Sequence, residues 1–113
     1  MEIKEIHVSE PWFTYIKNNK KRIEGRLNKG SFSELKKKQI IRFFNKDLNE
    51  KFDAKIVNIV KYKSFEEYLT QEGLKRTLPN INTIQDGVSI YRQYYSLDDE
   101  NRFGILAIYV KRI

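Results

Sequence analysis

Apolar side chains recur along the chain at two periods, and the change of period marks the elements. Ile3 to Val8 alternates, with Ile6 and Val8 on one face and His7 on the other, which predicts a strand. Ser9-Glu10-Pro11 predicts a helix start, with Ser9 as cap, Glu10 at the positive end of the dipole and Pro11 in the first turn. Trp12, Phe13 and Ile16 fall at helical spacing and are expected to be buried. Asn18 and Asn19 then stop the helix, because Asn tolerates left-handed backbone.

Arg22 to Leu27 predicts a second strand, with Ile23 and Leu27 on one face and Arg22, Glu24 and Arg26 on the other. Asn28-Lys29-Gly30 is a turn, and Ser31 to Lys38 a short helical or irregular piece. Gln39 to Phe44 is a third strand, and Asn45 to Asn49 a polar turn. Phe52 to Tyr62 is a fourth strand, with Ile56 and Val60 on one face and Val57 and Ile59 partly on the other. Ser64 and Glu67 form a capping box for a helix that Gly73 closes. Leu74 to Leu78 adds a helical turn before Pro79. Thr83 caps a helix with Ile84, Val88, Tyr91 and Tyr95 on one stripe. Asp98 to Arg102 is a charged loop. Phe103 to Arg112 is a last strand, apolar on both faces and therefore central. Strands kept apart from their helices predict an α+β fold or small barrel in one domain, residues 1–113, not a doubly wound sheet.

Charge narrows the partners. The 113 residues carry 22 Lys and Arg against 15 Asp and Glu, a net +7, which favours polyanion partners such as RNA, DNA or anionic lipid. The competing explanation is a merely solubilising surface. There is no Cys and one His, so neither disulfide, thiol catalysis nor a zinc site is expected, and no cofactor is implied. The leading Met1 to Ile6 has no signal-type apolar core, and no run reaches the roughly 18 apolar residues of a membrane span. A soluble intracellular protein, cytoplasmic or nuclear, without a membrane partner is the expectation.

The densest chemistry sits at Lys21, Glu24 and Arg26. Two residues apart on a strand face, Glu24 and Arg26 lie about 7 Å apart at the backbone and can form an ion pair inside a cleft. Arg26 offers a planar fork to a phosphate or base edge, and Glu24 an acceptor for an exocyclic amine. Lys21 reaches the same place if the turn at Asn18 and Asn19 swings it there. The alternative is a solvated salt bridge on a sheet face. His7 is a candidate acid or base, against the commoner hydrogen-bonded edge histidine. Arg92 and Tyr94 are candidates for contact with an unpaired base; Tyr91 fits the core stripe, and Trp12 fits the core better than a stacking role. Lys29 and Lys36 to Lys38 could track a phosphate backbone or form a solvated turn. No P-loop, Rossmann fingerprint or Ser/His/Asp set is present.

Asn19-Lys20-Lys21-Arg22-Ile23-Glu24-Gly25-Arg26, after a Pro-aromatic helix, resembles the Gly-x-Lys-x-x-Glu-x-Arg motif of the ASCH domain family, within the PUA-like superfamily. Asn19 stands where Gly is usual. Lys38-Gln39-Ile40-Ile41-Arg42-Phe43 resembles the family's Gly-Asp-x-Ile-x-Phe strand but lacks Gly-Asp. Tyr91-x-x-x-Tyr95 and Gly104 to Ile108 complete a likeness over nearly the whole chain. The resemblance implies a small PUA-like β-barrel of about five to six mixed strands with two or three peripheral helices. It also implies a role in RNA or nucleotide metabolism. Family members that hydrolyse acetylated cytidine use a Lys, a Thr and a Glu. The Thr stands where Glu24 stands here, so that activity does not carry over.

Two readings follow. One is a module that binds RNA, a nucleotide or a modified nucleoside through Lys21, Glu24 and Arg26, with His7, Arg92 and Tyr94 as further ligand contacts. The other is a small hydrolase of RNA or modified nucleosides, ribonuclease or amidohydrolase-like, with Lys21 and Glu24 in acid–base roles.

Overall fold

The structure, a computed structural model, describes residues 3–113; Met1 and Glu2, part of the leading stretch read above, lie outside them. Five strands form one mixed, curled sheet: β1 (Lys4–His7), β2 (Ile23–Leu27), β3 (Ile40–Asn45), β4 (Glu50–Tyr62) and β5 (Ile105–Arg112). Their order is β1-β3-β4-β5-β2. The β1–β3 pair is parallel and the others antiparallel. β5 is indeed internal, between β4 and β2, and its two apolar faces serve two cores. Leu106, Ile108 and Val110 join Ile6, Phe13, Ile16, Phe43 and Ile56 on the side of helix α1 (Trp12–Lys17). Ile105 and Ala107 join Ile23, Phe65, Tyr68, Leu69 and Tyr91 beneath helices α2 (Phe65–Glu72) and α4 (Ile84–Arg92).

Local signals account for most element ends. Ser64 Oγ accepts from the Glu67 N–H at 3.0 Å, and Thr83 Oγ1 from the Asp86 N–H at 3.1 Å, so both side-chain caps form, but the return half of the expected capping box goes one residue back, the Glu67 carboxylate taking the Lys63 N–H at 3.0 Å. Gly73, at φ +84°, ends α2 and opens the single-turn α3 (Leu74–Thr77). A 3₁₀ turn occupies Gly30–Glu34.

Three expectations are corrected. Asp98 to Arg102 is not a loop but the body of α5 (Leu97–Phe103). Ser96 caps it by accepting from the Asp99 N–H at 3.1 Å, and Asp98, Asp99 and Glu100 sit in the first turn, where the dipole favours negative charge. Ser9 does not cap α1; the Glu10 carboxylate takes the Thr14 N–H at 2.8 Å instead. On β4, Ile56 and Val60 do not share a face. A register shift between Ile56 and Asn58 adds one residue opposite β5, so Ile56 and Ile59 meet the α1-side core and Val60 meets the other. The shift leaves Val57 48% exposed.

Candidate functional site

β1 and β2 are the two edges of the curled sheet, and no backbone ladder joins them. The gap is bridged by a side chain. Arg26 on β2 donates from Nη2 to the His7 carbonyl on β1 at 2.7 Å. A cavity of about 300 Å³ lies at this seam. β1 and the residues after it contribute His7 and Ser9, and β2 contributes Glu24, Gly25 and Arg26. Trp12, Tyr91, Tyr94 and Tyr95 supply aromatic walls, with Lys21 behind Glu24.

The turn at Asn19, φ +62°, carries the chain from α1 into β2. Asn here does what the more usual Gly would do, because its side chain tolerates the left-handed region. Two adjacent residues are then tied to two adjacent carbonyls at the end of α3. The Arg22 N–H donates to the Arg76 carbonyl at 2.9 Å, and Lys21 Nζ to the Thr77 carbonyl at 2.5 Å. Lys21 is thereby turned inward. It is fully buried, donates also to the Ile23 carbonyl at 2.7 Å, and stands 3.4 Å from Glu24 Oε1.

Glu24 is the hub. Its Oε1 takes the Gly25 N–H at 3.1 Å and faces Lys21. Its Oε2 takes Arg26 Nη2 at 2.9 Å and Nε at 3.3 Å. Burial opposes its charge, but Arg26 and Lys21 outweigh burial and hold the carboxyl below the usual carboxylate range. Burial pushes the Lys21 ammonium below its ordinary value, against the pull of Glu24. For Arg26, burial works against the charge and Glu24 more than restores it, so the guanidinium stays charged. The three groups thus form a positive, negative, positive row set into apolar walls.

The remaining donors decide what this row can do. All three Nζ protons of Lys21 have acceptors nearby, in Ile23, Thr77 and Glu24. Arg26 uses Nε and Nη2 for Glu24 and His7, and the Tyr95 hydroxyl stands close enough to the guanidinium to hydrogen-bond it from the cavity side. Phe32 packs 5.3 Å from the guanidinium carbon, holding its plane.

Tyr91 is buried at 6% exposure, stacked on Phe65 at 4.5 Å, with its hydroxyl 3.1 Å from that of Tyr68. Burial raises Tyr68, Tyr91 and Tyr95, so all three remain neutral hydrogen-bonding phenols. Tyr94 is largely exposed at the rim, where its hydroxyl lies 3.1 Å from Ser9 Oγ and links the end of α4 to the segment after β1.

The structure brings together Lys21, Glu24, Arg26, His7 and Tyr94. It does not bring in Arg92, whose Nη2 lies 2.6 Å from Glu100 and ties α4 to α5. The histidine ring is exposed and packs edge-on to Phe44 at 5.2 Å, while its carbonyl serves Arg26. Sequence reasoning assigned Trp12, Tyr91 and Tyr95 to the core. They are core and wall together, because Trp12 touches both apolar clusters while lining the cavity. The Tyr94-Tyr95 doublet at a helix end was the available signal for this aromatic side.

Comparison with known proteins decides the family. The ASCH domain family model matches residues 6–113. The chain belongs to the ASCH domain family. Two solved structures resemble this ASCH domain over its length. One is the crystal structure of hypothetical protein PH0355, 32% identical, with a TM-score of 0.88 over 99% of this chain and 100% of that one. The other is the solution NMR structure of protein PF0455 from Pyrococcus furiosus, 31% identical, with a TM-score of 0.82 over 99% and 98%. No curated protein matches the sequence significantly. No helix among the described residues is long and apolar enough to cross a membrane.

Proposed function

We propose that this ASCH domain binds RNA or an RNA-derived nucleotide or nucleoside, taking one base into the seam cavity. The observation that carries the reading is the Arg26 guanidinium edge. It is a charged, planar fork held by Glu24, His7 and Phe32 and set beside the Tyr95 hydroxyl, in a cavity walled by four aromatic residues. Such an edge suits a base carbonyl or ring nitrogen, and aromatic walls suit its faces. The volume is at the small end for ligand pockets, which fits one base or nucleoside. The net +7 adds attraction for the attached phosphates. Glu24 and Lys21 preorganise Arg26, and Tyr94 with Ser9 forms the rim. The test is a thermal-shift series with nucleosides, nucleotides and short RNAs. A ligand that binds only the folded form raises the melting temperature with concentration. A flat response across the series at low salt contradicts the proposal.

One observation favours a hydrolytic variant: a buried Lys21 of lowered basicity beside Glu24 is the kind of pair used for proton transfer. That variant requires Lys21 to exchange one of its carbonyl partners for substrate. Turnover of RNA or a modified nucleoside, abolished by Lys21→Met, would support it; wild-type binding without turnover favours the binding module.

A further inference from the structure

Away from the seam cavity, a second depression of about 530 Å³ is lined by Arg22, Arg76, Lys111 and Arg112 around Tyr109 and Val57. These cations are placed by the backbone. The Arg22 N–H donates to the Arg76 carbonyl, and the Arg22 carbonyl accepts from the Val110 N–H, both at 2.9 Å. Arg22 is therefore fixed between α3 and the end of β5. Lys111 follows Tyr109 on the same face of β5 and stands directly opposite Lys55 on β4.

Two features set this row apart from a solubilising surface. First, Arg22, Lys55 and Lys111 make no ion pair among the described residues, while Arg112 at the edge of the groove turns to the α1 side, where its Nη1 donates to the Lys17 carbonyl at 3.1 Å. Arg76 alone is paired, with Glu72 at 2.9 Å, and that carboxylate is buried beneath it. Second, like charges directly across an antiparallel ladder destabilise a sheet, yet Lys55 faces Lys111.

We propose that this groove is a phosphodiester-backbone site that takes a single strand of nucleic acid. The row runs from Arg22, just before β2, to Lys111 on β5 and Lys55 on β4, neighbouring strands about 4.8 Å apart, so it presents a line of charge, not a point site for one phosphate. Guanidinium forks and ammonium groups together suit phosphate oxygens. Lys21 turns into the seam cavity and Arg22 into this groove, so the two sites lie on opposite sides of one turn. The groove stands independently of the base-binding reading.

The experiment is a fluorescence-anisotropy titration of the whole protein with labelled oligouridine RNA and oligothymidine DNA across a salt series. Phosphatidylserine vesicles form a separate arm. For a single strand, affinity falls with salt at a logarithmic slope of about −0.7 per phosphate contact. The double variant Arg22→Ala, Lys111→Ala is expected to reduce that slope by about 1.4 and weaken binding at least tenfold at low salt. Lys55→Glu supplies a check immune to misfolding: it replaces a like-charge pair with an opposite one, and is expected to raise the melting temperature while weakening oligonucleotide binding. Binding of RNA, DNA or both with these responses supports the proposal and marks the source of the phosphates. An unchanged slope and affinity in the double variant overturns it, as does vesicle binding without oligonucleotide binding. Thermal shifts by uncharged nucleosides report on the seam cavity alone, so failure of one site is distinguishable from failure of the other.

Discussion

The Nη2 of Arg26 donates to the carbonyl of His7 at 2.7 Å, and this contact joins two sheet edges that share no ladder. Closure of the half-barrel by a side chain, not by strand pairing, leaves the seam open enough to hold a cavity. The same guanidinium, together with Lys21, compensates the charge of buried Glu24. Structure and site are therefore coupled through one residue.

That coupling predicts a large cost for Arg26→Ala. Removing Arg26 leaves buried Glu24 with Lys21 as its remaining counter-charge and strips the donors from Oε2, and about 3 kcal/mol of stability is expected to be lost. Arg26→Lys keeps the charge but cannot hold Glu24 and His7 with a planar fork. It is expected to lose about 1 to 2 kcal/mol. Urea unfolding of the two variants beside wild type measures both; equal losses would show that charge, not geometry, is the whole effect.

Gly25 sits between Glu24 and Arg26 with its back to the Tyr68 ring. A Cβ there would stand 2.7 Å from Tyr68 Cε2. Gly25→Ala must push the ring, which is held on its other side by Tyr91 at 5.8 Å. A loss of about 1 to 3 kcal/mol is expected. Thermal melts check it, and an unchanged melting temperature would mean that the Tyr68 ring has somewhere to go.

The Glu24 carboxyl has a folded value below its unfolded one. Its contribution to stability is therefore complete above the ordinary carboxylate value of 4.5 and is lost as pH falls toward the folded value. Glu24→Gln is expected to be less stable at neutral pH and to show a flatter acid limb. Denaturant midpoints measured down the acid range test the sign: a variant curve parallel to wild type would remove Glu24 from the acid response.

Glu72 is buried and accepts from Tyr62 at 2.5 Å, from Arg76 at 2.9 Å and from the Tyr109 hydroxyl. Burial and this carboxylate push Tyr109 up to about 12. Because its folded value is raised, its stabilising contribution is present below the unfolded value of 10.0 and is lost as pH climbs through about 12. Tyrosinate absorbance is expected to show a late phase that moves to lower pH in Glu72→Gln. A phase that stays in place would assign the shift to burial alone.

The sequence made the strands legible because their alternation is clean, and it placed β5 inside the sheet because both of its faces are apolar. It paired Glu24 with Arg26 by period alone. It could not show the β4 bulge, since an inserted residue leaves the apolar pattern intact and only the partner strand reveals the slip. It also read α5 as loop, because an acidic first turn resembles a solvated loop until Ser96 is recognised as its cap. The Lys21 orientation depended on the Thr77 and Ile23 carbonyls, the first of them 56 residues away, and no local rule carries that information. Lys38 adopts φ +73° where the family pattern has Gly, a departure whose backbone consequence only the fold displays.

Trp12 is the only tryptophan, and it lines the seam cavity. Its fluorescence therefore reports directly on whether a base enters there. Titration of the wild-type protein with nucleosides and short RNAs is predicted to give a saturable change in Trp12 emission that Arg26→Lys abolishes and Lys111→Ala leaves in place. Emission that stays constant while an RNA binds by anisotropy, or that responds equally in Arg26→Lys, would contradict the claim that the cavity takes a base against Arg26.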